Sequence, residues 1–273
     1  MRQADAVARA RPVALTIAGS DSGGGAGVLA DAAVFRALGV WPTVAIAAVT
    51  AQNTQGVDAV AVMDPDIVLA QIQAVVRDIG VDAVKTGMLG SGAVASAVAA
   101  GIAGLPSVVV DPVLVSSSGT PLLDDDGVDV LRSRLLPLAR VVTPNLAEAA
   151  VLTGLPVTDR DDMAAAAETL VGMGAQAALV TGGHLPGGTV ADCLVAGGRC
   201  RWFEAPRHAV VHTHGTGCVL SAAIAACLAR GDALDDAVQV ARASVRQAIE
   251  RGVALGSGVG PVDAGAVVSS PAW

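Results

Sequence analysis

The sequence predicts an α/β fold: a mainly parallel sheet covered by helices on both faces, with a late antiparallel hairpin along one edge. Three observations predict it. Short apolar runs alternate with helix-length segments through most of the 273 residues, as in successive strand–helix units. The runs are short and continuously apolar, as strands buried on both faces are. After residue 189 the alternation stops, and two strand-like runs flank Ala196-Gly197-Gly198-Arg199.

Val13–Ala18 is a short buried strand. Gly19 to Gly25 is a loop, and Ala26–Leu38 reads as a helix. Thr43–Thr50 is the second strand, followed by a polar turn through Asn53 to Gly56. Pro65–Ile79 carries apolar residues at Ile67, Val68, Ile72, Val75 and Val76, the spacing of one helix face. Ala83–Thr86 is a strand and Ser91–Ala103 a helix. Thr86 to Val110 carries no charge, a length that could span a membrane. It is broken at Gly104-Leu105-Pro106, so a buried helix followed by the strand Ser107–Val110 fits it better. A helix around Val128–Leu135 leads to the strand Arg140–Val142. Asn145–Leu152 and Asp161–Met173 are helices, and Ala177–Val180 is a strand. Val190–Val195 and Arg201–Glu204 form the hairpin. Two helices close the chain, one from the glycine motif near residue 215 and one over Leu234–Arg251. No linker, repeat or low-complexity tract interrupts residues 13–273, which read as one domain. Residues 1–12 read as a flexible N-terminal extension.

Composition bounds the function. Hydrophobic residues make up 53% and charged residues 15%, which excludes a disordered chain. The net charge of −8 argues against nucleic-acid or membrane-surface binding. Lys85 is the only lysine, so anions must be held by arginine, backbone amides or a metal. Cys193, Cys200, Cys218 and Cys227 show no Cys-x-x-Cys spacing and suit reduced thiols of a cytoplasmic protein.

The strongest chemical signal is His214-Gly215-Thr216-Gly217-Cys218 ahead of a strongly apolar helix. A helix start presents unpaired N–H groups and partial positive charge, and glycines let an anion approach that backbone. A cysteine in the first turn is expected to favour the thiolate. Gly25-Ala26-Gly27-Val28-Leu29-Ala30 fits a dinucleotide pattern. However, its glycines lie beyond the tight turn, and the second strand ends Val49-Thr50-Ala51-Gln52 with no acid for a ribose. The loop is better suited to closing over a small polar ligand. Asp31, in an otherwise apolar helix, is either a capping-type carboxylate or an acceptor for a ligand amine or hydroxyl. Asn145 and Glu148 share a helix face. They make either a plain helix start or, near a phosphate, a site for Mg²⁺, with Asp111 as a second oxygen ligand. His212 and His214 lack the further ligands of a zinc site. Polar residues follow each parallel strand: Asp21, Gln52 and Asn53, Lys85 and Thr86, Asp111, Asn145, and Gly182-Gly183-His184. That is where ligands bind in such folds.

Together these blocks resemble the hydroxymethylpyrimidine/phosphomethylpyrimidine kinases of thiamine biosynthesis. The resemblance rests on Ala18-Gly19-Ser20-Asp21-Ser22-Gly23-Gly24-Gly25-Ala26-Gly27 with Ala30-Asp31, and on Ala51-Gln52-Asn53-Thr54-Gln55-Gly56-Val57. It continues through Lys85-Thr86-Gly87-Met88-Leu89, Val110-Asp111-Pro112-Val113, Thr143-Pro144-Asn145-Leu146 with Glu148-Ala149, Gly182-Gly183-His184-Leu185 and His212 to Cys218. It implies a ribokinase-like three-layer α/β/α sandwich, a homodimer, and two successive ATP-dependent phosphorylations of the aminopyrimidine. By that resemblance Gln52, Asp31, Gly19, Met88 and Val113 hold the pyrimidine. Gly215, Thr216, Gly217 and Cys218 form the catalytic anion hole, with Cys218 where related sugar kinases carry an aspartate base. Asn145, Thr181, Gly183 and His214 meet ATP, while Asp111 and Glu148 organise Mg²⁺. The family commonly carries lysine at position 181. Thr181 keeps open a pyrimidine-binding protein with weak kinase activity, and a pyridoxine/pyridoxal kinase is the other alternative.

Overall fold

The structure is a computed structural model that describes residues 11–116, 119–208 and 212–267. The expected N-terminal extension, apart from its last two residues, lies outside the described residues.

A nine-stranded sheet organises the chain, in the order β3-β2-β1-β4-β5-β6-β7-β8-β9. β1 (Val13–Gly19), β2 (Trp41–Gln52), β4 (Ala83–Thr86), β5 (Val108–Val110), β6 (Val141–Val142) and β7 (Ala177–Val180) run parallel. β8 (Thr189–Ala196) and β9 (Arg199–Pro206) add the expected antiparallel hairpin at one edge. The opposite edge is β3 (Val57–Val62), antiparallel to β2.

The alternation of strand side chains builds three layers. Leu15, Ile17, Val84, Val108, Val110, Ala178 and Val180 pack on one face, against α2 (Pro65–Asp78), α3 (Gly92–Ile102), α5 (Leu146–Thr153) and α6 (Arg160–Gly172). Ala14, Ala83, Val109, Ala177 and Leu179 pack on the other, against α1 (Gly27–Ala37), α7 (Thr216–Ala229) and α8 (Leu234–Glu250). Every residue of α7 from Val219 to Leu228 is buried, which is why that stretch, Ser221 apart, is apolar all round rather than striped.

The helix expected around Val128–Leu135 begins earlier, as α4 (Asp125–Val130). Asp124 caps it by accepting the Gly127 N–H at 2.8 Å. It continues as a π-helical turn over Leu131–Leu135 and stops at the 3-10 turn Leu136–Leu138, which contains Pro137. Among the described residues no helix is long and apolar enough to cross a membrane.

Candidate active site

The chain folds outward in both directions from β1, with β2 on one side and β4 on the other. Parallel sheets bind ligands beyond the carboxyl ends of the strands at such a reversal. A cleft of about 1300 Å³ opens there. Every residue expected at the pyrimidine, ATP, Mg²⁺ or anion-hole position lines it except Asp31, while the strand-end Asn53, Thr86 and Gly182 do not.

The loop between β1 and α1 forms one rim. Asp21 accepts the N–H groups of Gly23 at 2.8 Å and Gly25 at 3.1 Å, folding the glycine run around its carboxylate. His214 Nε2 lies 2.9 Å from the same carboxylate. Burial opposes ionisation of Asp21, but the bonds from His214 and the Gly23 N–H outweigh it and hold the carboxyl below its ordinary range. The Gln52 amide nitrogen also lies 3.4 Å from His214 Nε2. A carboxylate only accepts, so Nε2 carries the proton towards Asp21. That leaves the Gln52 N–H groups to the cleft. Beside them Met88 and Val113 cluster with Ala48 and Leu122, giving a small apolar wall. Gly19 is tight against that wall: a Cβ there would meet Met88 Sδ at 2.9 Å.

The second rim is the start of α7. Gly215 has φ 91° as its N-cap, and a Cβ there would sit 2.0 Å from the Gly25 carbonyl oxygen. Gly27 approaches the Gly19 carbonyl in the same way, 2.2 Å from a would-be Cβ at φ +60°. Only glycine fits either position. The first-turn N–H groups of Gly217 and Cys218 precede the intrahelical ladder, so they are donors for an anion.

Below the helix mouth lies a buried charge cluster. Lys85 Nζ donates to both carboxylate oxygens of Asp31 at 2.9 Å and lies 3.8 Å from Asp111. Burial would neutralise Lys85, but the charges of Asp31 and Asp111 and the hydrogen bonds to Asp31 hold the ammonium above its usual range. Thr16 donates to Asp31 at 2.6 Å. Asp31 is therefore fully buried and bonded within the protein. The expectation that it contacts the ligand is corrected: it reaches the cleft only through Lys85. A second correction concerns Cys218. Burial pushes its thiol up to about 12, aided by Asp31 and Asp111 and opposed by Lys85 and the Gly27 N–H. It is a thiol at neutral pH, not the thiolate its place at a helix start suggests.

Two acids stand on the third side. Asn145 and Glu148 form a reciprocal cap: the Glu148 N–H donates to the Asn145 side chain at 3.0 Å, and the Asn145 N–H to Glu148 at 2.9 Å. Burial and the charge of Asp111 raise Glu148 to about 8. Asp111, which accepts the Ser221 hydroxyl at 2.8 Å, is likewise raised by burial, against the pull of Lys85. A carboxyl raised by burial and by the charge of a neighbouring carboxylate suits a divalent cation. Among the described residues no cluster of three metal-binding side chains exists. Mg²⁺ keeps most of its waters and typically takes one or two carboxylates plus substrate phosphates, so the pair fits.

Thr181 pairs with Asn145 in an isolated bridge, which joins this acid pair to the turn after β7. The Gly182 N–H donates to Asp192 at 2.8 Å, and Asp192 in turn receives Arg242 at 2.7 Å. His214, expected beside ATP, is committed to Asp21 and lies next to Gln52. The other histidine, His212, accepts the Gly260 N–H at 2.9 Å, a backbone role. Asp21, which the sequence marks only as a polar strand-end residue, braces this loop; its signal is an acid two residues ahead of a glycine run.

The family model for phosphomethylpyrimidine kinase matches residues 21–263. A hydroxymethylpyrimidine/phosphomethylpyrimidine kinase of Streptomyces coelicolor is 48% identical over 255 residues, covering 93% of this chain and 94% of that one. Among solved structures, the ADP complex of Bacillus subtilis pyridoxal kinase superposes with TM-score 0.88 at 36% identity, covering 94% of this chain and 98% of its own. Phosphomethylpyrimidine kinase of Clostridium difficile superposes with TM-score 0.78 at 38% identity, covering 88% of this chain and 100% of its own.

Proposed function

The chain belongs to the phosphomethylpyrimidine kinase family, and from that premise we infer the reaction it performs. It is a kinase of thiamine biosynthesis. It phosphorylates the hydroxymethyl group of 4-amino-5-hydroxymethyl-2-methylpyrimidine with ATP, then converts the monophosphate to the diphosphate. One observation carries the assignment of parts: the apolar wall with Gln52, the glycine-lined helix mouth and the acid pair all face one cleft.

Met88 and Val113 pack on the ring, and Gln52 offers the paired donor and acceptor that a ring nitrogen beside an exocyclic amine requires. Asp21 and His214 fix the loop that carries Gly19 over the ring. The turn through Gly215 and Thr216, whose own N–H is held by the Thr213 carbonyl, directs the first-turn N–H groups of Gly217 and Cys218 at the transferring phosphoryl group, where charge stabilisation does most of the work. Cys218 contacts the attacking hydroxyl as a neutral thiol. The hydroxyl loses its proton late in a loose transition state to an oxygen of the transferring phosphoryl group, so no strong resident base is needed. Asn145, Thr181 and Gly183 line the nucleotide side. Asp111 and Glu148 would hold Mg²⁺, which when bound screens the phosphate oxygens.

Residues 13–273 act as one kinase domain in the cytoplasm. A homodimer is supported by the edge strand β3, which leaves Val60 and Val62 exposed. Light scattering on purified protein tests it. The superposition on pyridoxal kinase keeps one rival reading in view. ATP turnover with Mg²⁺, comparing hydroxymethylpyrimidine with pyridoxal and weighing products by mass, decides. Monophosphate then diphosphate of the pyrimidine supports the proposal. Pyridoxal phosphate as the dominant product overturns it, and pyrimidine binding without product marks a degenerate kinase.

A further inference from the structure

Most buried or partly buried cations of the cleft face a carboxylate. Lys85 faces Asp31 at 2.9 Å, and Arg242 faces Asp192 at 2.7 Å. Arg207 differs. It follows β9, lines the same cleft, and donates three hydrogen bonds from its guanidinium, all to main-chain carbonyls. Nη1 donates to Gly183 at 2.7 Å, Nη2 to Leu185 at 2.5 Å and Nε to Gly187 at 2.8 Å. Its backbone N–H donates to the Gly188 carbonyl at 2.8 Å. The turn between β7 and β8 is thus wrapped around one side chain.

Carbonyl dipoles solvate a cation without cancelling its charge. Among the described residues no carboxylate pairs with Arg207. A guanidinium has five N–H groups, so three carbonyl bonds leave one on each terminal nitrogen. Those two N–H groups can still donate to phosphate oxygens. The turn it clamps starts at Thr181, which supplies a hydroxyl and no charge. The exposed Gly183 adds no side chain to that wall.

We propose that Arg207 binds the phosphate tail of the nucleoside triphosphate, supplying this wall's positive charge while its carbonyl contacts hold the turn in shape. This rests on the kinase reading above. It also assigns Arg207 two separable duties, charge and clamp.

Calorimetric affinity for a non-hydrolysable ATP analogue, with KM for both substrates, separates the duties in four variants. Arg207→Gln keeps donors and loses the charge; it weakens nucleotide binding about tenfold, the size of one charge-assisted hydrogen bond. It raises KM for ATP far more than KM for the pyrimidine. Arg207→Lys keeps the charge with fewer carbonyl contacts and loses less. Adding Thr181→Lys to Arg207→Gln recovers more affinity than Thr181→Lys adds to the wild type, because two cations then serve one anion. Equal losses in Arg207→Gln and Arg207→Lys, or equal gains from Thr181→Lys in both backgrounds, overturn the proposal. Should Arg207→Gln not fold, Thr181→Lys alone decides: a gain of about tenfold in the wild type means that no cation served there. A wild-type protein that binds the analogue but phosphorylates nothing overturns the kinase reading instead.

Discussion

Lys85 and Asp31 form an ion pair with neither side chain exposed, both carboxylate oxygens lying 2.9 Å from the ammonium. The pair ties β4 to α1 directly beneath the helix mouth. Breaking such a pair leaves a buried charge uncompensated, which costs about 3–5 kcal/mol. Asp31→Ala is therefore expected to lose that much in urea unfolding, with Thr16 also deprived of its acceptor. A stable variant with only a raised KM for the pyrimidine would return Asp31 to the substrate.

The neutral Cys218 thiol predicts a reactivity order. At about pH 8, iodoacetamide should modify the exposed Cys200 well before Cys218, because only the thiolate attacks. Peptide mass mapping over time reads the order directly. Cys218→Ala is expected to lower kcat about tenfold, 1.4 kcal/mol of barrier, while KM for the pyrimidine changes less. Faster labelling of Cys218 would contradict a thiol kept neutral beside Asp31 and Asp111.

Glu148 predicts a pH dependence. Its folded value of about 8 lies above the ordinary 4.5. Between these values the folded chain keeps a proton that the unfolded chain has released. Stability from this group is thus full below about 4.5 and is lost as pH rises through about 8. In chelator, Glu148→Gln should flatten that decline, since the amide oxygen still accepts the Asn145 N–H. Thermal unfolding from about pH 5 to about pH 8.5 tests it; parallel curves for variant and wild type would sink the idea.

Gln52 predicts specificity. With His214 Nε2 protonated towards Asp21, its amide has unused N–H groups facing the cleft. Gln52→Leu should weaken the pyrimidine by about 1–3 kcal/mol, the cost of an unpaired buried partner. Calorimetry on the variant measures this, and unchanged affinity would refute it.

The parallel strands and most helices were legible because burial and periodicity coincide there: Val108–Val110 and Ala177–Val180 are where their apolar runs stand. β3 was not, because five of its six residues are exposed and only pairing with β2 makes it a strand. The start of α4 was missed because the cap at Asp124 precedes any apolar run. Local motifs located the cleft residues but not their states. The helix start at Cys218 argues for a thiolate until Asp31 and Asp111, distant in sequence, are placed beside it. Asp31 reads as a ligand contact until Lys85, 54 residues on, is found against it.

The close approach of Gly215 to the Gly25 carbonyl binds two loops into one mechanical part. The β1–α1 rim and the α7 rim of the cleft cannot drift separately, because neither backbone has room to yield. On the proposed reading, substitutions that alter ring preference are expected at Gln52, Met88 and Val113, whose side chains come from other strand ends, rather than in either glycine loop.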